Sequence, residues 1–79
     1  MHTVELLDEA LAVAQRMGFK IRQEWLSGSG GPCEIKGQRW LFVDLSLPPL
    51  EQLDQVIAAI KLIPVETPVS PGLRRLCAA

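Results

Sequence analysis

Cys33, Cys77, His2 and a handful of carboxylates are the side chains in this 79-residue chain best suited to covalent, acid–base or metal chemistry. A reactive thiol needs a base or a cation to favour the thiolate. The single histidine, His2, stands at the start of the sequence, far from either cysteine. Cysteine is among the most buried residue types, and Cys33 is in phase with Ile35, so Cys33 reads as a core residue. A thiol-dependent enzyme or sensor at Cys33 is the least favoured function. Two cysteines and one histidine supply neither a zinc set nor a disulfide framework. Asp44 and Glu51 straddle the entry to a helix, and Glu24 ends a strand. Paired carboxylates can move protons or bind metal, but no second set of ligands accompanies these. Asp44 therefore reads as a hydrogen-bond acceptor near the helix start.

The Gly28-Ser29-Gly30-Gly31 run has the composition of an anion cradle built from backbone N–H groups. Strong phosphate loops lead into a helix N-terminus, whereas this one leads into Pro32 and a strand. Gly28, Gly30 and Gly31 read instead as a flexible or partner-contacting hairpin loop. With no triad, metal spacing or cofactor motif, the expectation is a protein that is not an enzyme and takes no cofactor.

The elements that would position these groups follow from periodicity. Residues 4–17 carry Val4, Leu6, Leu7, Ala10, Leu11, Val13, Ala14 and Met17 on one side of a helical wheel. Thr3 suits the N-cap and Gly18 the left-handed stop. Residues 19–26 alternate, with Phe19, Ile21 and Trp25 opposed to Lys20, Arg22 and Glu24. Cys33–Lys36 is a second strand, and Gly37-Gln38 suits a tight turn into a third strand at 39–45. Ser46 caps a second helix whose first turn tolerates Pro48 and Pro49. Its apolar stripe is Leu50, Leu53, Val56, Ile57, Ile60 and Ile63, and Pro64 ends it. Beyond lies a proline-rich tail in which Ser70 and Pro71 can open a short helical turn.

The order αβββα predicts an α+β fold. The expected form is a two-layer α/β sandwich, with a three-stranded antiparallel meander and both helices on one face. Residues 1–64 form the domain; residues 65–79 are a tail packing on the domain or on a partner. The third strand is apolar on both faces: Leu41, Val43 and Leu45 point one way, Trp40 and Phe42 the other. Two helices cover one face, and each ring gains roughly 1.5–3 kcal/mol by leaving water. The rings need cover: the tail through Val65, Val69, Leu73 and Leu76; a second copy, through this face or through third-strand edges; or a foreign ligand.

Composition bounds the partners. Hydrophobic residues make up 48% of the chain, enough for one core and a covered patch. The formal net charge is −1, against the basic balance of a polyanion binder. No stretch is long and apolar enough for a membrane span. Met1-His2-Thr3 followed by acidic residues lacks a signal-peptide pattern, so a cytoplasmic location is expected.

Lys36-Gly37 before Trp40 and Phe42, with Lys20 and Arg22 nearby, resembles the base-stacking sheet of RNA-recognition-motif domains. Gln38 and Arg39 depart from that pattern, as does the element order. The αβββα order is similar to that of double-stranded-RNA-binding domains. Their second helix opens with a lysine cluster, where this chain has Leu50-Glu51-Gln52 and Asp54. The favoured expectation is a non-enzymatic protein–protein interaction module, homodimer-forming or adaptor-like. Its partner surface is Trp40 and Phe42 with Lys36, Arg39, Arg22, Leu73 and Leu76. The alternative is single-stranded nucleic-acid binding by the same rings with Lys20, Arg22, Lys36 and Arg39.

Overall fold

The computed structural model of the protein describes residues 3–27, 30–62 and 70–78, with the side chains of residues 76 and 78 outside the description. The elements run α1 (Thr3–Arg16), β1 (Lys20–Glu24), β2 (Gly31–Ile35), β3 (Gln38–Asp44), α2 (Pro49–Ile60) and α3 (Pro71–Ala78). This is a small α+β fold of three helices and a three-stranded mixed sheet.

α1 buries Leu7, Ala10, Val13 and Ala14, the stripe its periodicity dictates. It stops at Gly18, whose φ of 95° is open to glycine without strain. Phe19 N–H reaches Ala14 O and Gly18 N–H reaches Gln15 O, the paired bonds of a Schellman stop. Those bonds hand the chain directly to β1.

The sheet departs from the expected meander. Its order is β1-β3-β2, with β1 parallel to β3 and β2 antiparallel to it. β3 is the strand apolar on both faces, and the central position is where such a strand loses most water. Residues 25–30 therefore do not close a hairpin. The connection from β1 to β2 has instead to span β3, two strand spacings or ~10 Å, well within the ~20 Å that six residues reach; its described parts, 25–27 and Gly30, lie at the end of β3 as an arch. With β3 in the middle, it has no free edge for a second copy to pair with.

Two local expectations shift for related reasons. β1 ends at Glu24, so Trp25 leaves the sheet and lies 76% exposed rather than in the core. The β2–β3 turn is Lys36-Gly37, both at positive φ (51° and 78°), the geometry of a type I′ hairpin. Register makes Ile35 the partner of Gln38 and Cys33 the partner of Trp40. Cys33 and Ile35 are thus in phase, as read, but on the face opposite Leu41, and both are exposed. The core assignment of Cys33 is corrected accordingly.

The core joins Leu41 and Val43 of β3 to Leu53, Val56, Ile57 and Ile60 of α2 and to the buried stripe of α1. α2 starts on Pro48, not Ser46: the Ser46 hydroxyl is instead engaged with Asp44. Leu50 in its first turn faces water, 59% exposed, and drops out of the expected stripe. Ile63 and Pro64 lie outside the described residues. α3 packs on α1 and α2 and touches no strand among the described residues. Ser70 caps it as read, its Oγ accepting from Leu73 N–H at 3.3 Å.

Candidate interaction face

Strand alternation places Trp40 and Phe42 on the face away from the buried Leu41 and Val43. Both rings are half-buried and stacked, centroids 6.0 Å apart with planes 15° from parallel. Stacking at i and i+2 along one strand holds the pair as a unit, worth ~1 kcal/mol beyond burial.

Their neighbours follow from register. Lys20 pairs with Trp40 and Arg22 with Phe42 across the parallel ladder. Lys20 Nζ sits 5.5 Å from the Trp40 ring centroid and donates to Gln38 Oε1 at 2.8 Å. The ammonium is thus shared between a ring face and an amide. Arg22 pairs with Glu24 at 2.5 Å. On the other flank, Cys33 stands beside Trp40 and Gly31 beside Phe42. Gly31 has φ of 130°, where a side chain is strained, so the backbone itself keeps that flank of Phe42 bare. The surface is an aromatic centre with Cys33 and Ile35 on one side and a rim of both charge signs on the other.

The other expected partner residues separate. Arg39 is in register with Glu34 on the helix-bearing side, and its Nη1 donates to Met17 O at 3.0 Å. Lys36 is in the hairpin turn. Leu73 is fully buried in the helical core, a correction to its placement on the partner surface. The Leu76 side chain, Val65 and Val69 lie outside the described residues, and the described part of the tail turns to the helices. α3 therefore does not cover the rings.

The glycine loop has a structural role at Gly30. A Cβ there would meet Phe42 O and Gln55 Nε2 at 2.6 Å, so the arch closes on β3 and α2 only with glycine. Gly28 lies outside the described residues. Asp44 is fully buried beneath the arch. Its Oδ1 accepts from Leu26 N–H at 3.0 Å, Ser46 N–H at 2.9 Å and Ser46 Oγ at 2.6 Å. Glu24 remains on the face with Arg22, and Glu51 is exposed. The three carboxylates do not converge. Among the described residues no three His, Cys, Asp or Glu side chains gather to hold a metal. Nor is any helix there long and apolar enough to cross a membrane.

Asp44 accepts near the start of α2 as the sequence suggests, through an Asx turn to the residue two positions on. A second tie has no local signal. The bonds from Ser70 N–H and Oγ to the Glu9 carboxylate, both 2.6 Å, join residues 61 positions apart. No family description, curated protein or solved structure matches this chain.

Proposed function

We propose that the protein is a non-enzymatic interaction module that pairs with a second copy of itself through the Trp40/Phe42 face. The reading takes the molecule as a two-layer α/β sandwich with one sheet face open. The observation that carries it is the stacked, half-buried ring pair left uncovered by α3.

Two features favour a second copy as occupant. An apolar centre with a rim holding Lys20, Arg22 and Glu24 is self-complementary in sign, as a two-fold contact requires. A net charge of −1 adds little repulsion between copies. The sheet edges are poorer docking sites: β1 carries a charged residue at every other position, and Pro32 removes a donor from β2. A single-stranded nucleic acid is less suited to this face. Arg22 is already paired with Glu24, and Arg39 lies on the opposite side. Both cysteines are free thiols, which fits a reducing compartment such as the cytoplasm.

Light scattering across a concentration series tests the reading. The wild type should be dimeric, and the Trp40→Ser/Phe42→Ser double variant should be a monomer with native circular dichroism. A wild type that stays monomeric at the highest concentration overturns it. Salt-sensitive binding of oligonucleotides would put nucleic acid in its place.

A further inference from the structure

Phe19, Pro32, Cys33, Glu34, Arg39 and Leu62 line an open cavity of about 300 Å³, with Glu34 and Arg39 on the helix-bearing side of the sheet. We propose that it binds a zwitterionic α-amino acid with an apolar side chain. The inference is independent of the Trp40/Phe42 face.

The charges carry it. Glu34 and Arg39 are direct cross-strand partners in the β2–β3 ladder, the spacing at which opposite charges usually meet. No ion pair joins them: Arg39 Nη1 is drawn to Met17 O at 3.0 Å, where α1 ends, and among the described residues the Glu34 carboxylate has no hydrogen-bond or ion-pair partner. A fixed guanidinium and a separate carboxylate therefore sit at one cavity. Arg39 has donors remaining for a carboxylate, which a guanidinium engages in bidentate fashion. Glu34 accepts from an ammonium. A ligand carrying both groups on one carbon satisfies both residues at once.

The remaining walls set the side chain. Phe19, Pro32 and Leu62 are apolar, and Leu62 is 66% exposed, so covering it removes apolar surface from water. The volume suits a single residue and is at the lower limit of small-molecule sites. With both charges reachable by water, affinity is modest, with Kd on the order of millimolar.

An NMR titration of the ¹⁵N-labelled protein with L-phenylalanine and L-leucine tests this. Saturable shifts should centre on Phe19, Glu34, Arg39 and Leu62. N-acetyl-L-phenylalanine and L-phenylalaninamide, each lacking one charge, should bind about tenfold more weakly. Glu34→Gln removes no observed hydrogen bond, so it should keep the native spectrum and lose about tenfold for the free amino acid. Arg39→Gln gives up the bond to Met17 O, so shifts at the end of α1 are expected alongside a similar loss of about tenfold in binding. The absence of saturable shifts at tens of millimolar, or equal binding of the N-acetylated compound, overturns the proposal.

Discussion

Leu26 N–H donates to Asp44 Oδ1 at 3.0 Å, and this bond ties the arch after β1 to the end of β3. The same oxygen takes both donors of Ser46, where the chain turns towards α2. Two connections thus meet at one buried carboxylate.

Replacing it with alanine takes the acceptor from three donors in a part-buried site and empties the fully buried position of the carboxylate. Asp44→Ala should cost about 3–5 kcal/mol, read as a fall in the urea midpoint. Asp44→Asn keeps an acceptor in place and should cost less than half as much. Equal losses in the two variants would mean that charge, not geometry, holds the arch.

Gly30→Ala places a methyl group 2.6 Å from Phe42 O and Gln55 Nε2. A side-chain amide can move, but the strand carbonyl cannot, so a loss of about 1–3 kcal/mol is expected. Unfolding by urea measures it. Gln55→Ala in the same background relieves only the side-chain clash and should recover little.

Much of this is legible from residue spacing. The α1 stripe with Gly18 and the Ser70-Pro71 opening of α3 all follow from periodicity and cap chemistry. The strand order does not, because alternation in β1 and β2 says which residues share a face but not which strands are neighbours. The doubly apolar run from Trp40 to Val43 did contain the clue to a central strand. A strand apolar on both faces needs two neighbours as well as cover. Trp25 falls outside the sheet because its alternating pattern continues past the point where the ladder stops. The ring pair was visible as spacing; its bare flank at Gly31 depends on a register that only the fold reveals. The separation of Arg39 from Lys20 and Arg22 is one residue of phase, legible once the strand is placed.

Glu9 reaches from α1 to take both the N–H and the hydroxyl of Ser70 at the start of α3. Glu9→Gln weakens two charge-assisted bonds, and Ser70→Ala removes one of them and the cap to Leu73. Each should cost about 0.5–2 kcal/mol. Hydrogen exchange should show the loss concentrated at Leu73 and Arg74, with the α2 amides changed less. Uniform acceleration across the chain would show that α3 opens only with the whole domain.

Burial pushes the Cys77 thiol above its ordinary value of 9.0; Lys61 offsets part of the rise, and Glu9 adds to it. The folded chain then keeps this proton after the unfolded chain has lost it. This contribution to stability is whole below about pH 9 and declines as the pH climbs through the raised folded value. Cys77→Ala should flatten that decline in urea midpoints taken between about pH 8 and 10. With iodoacetamide at neutral pH, exposed Cys33 should be alkylated before Cys77.

The β1-β3-β2 order also has a consequence for synthesis. The β2–β3 hairpin closes between Ile35 and Gln38, whereas β1 must wait from Lys20 until Trp40 has emerged. At roughly 5–20 residues per second, β1 is partnerless for about 1–4 s on the ribosome. Pulse-labelled refolding should show β2 and β3 amides protected ahead of those in β1; the reverse order would contradict this sequence of events. The charged side chains of Lys20, Arg22 and Glu24, peripheral in the finished sheet, keep the waiting strand solvated until its place beside β3 exists.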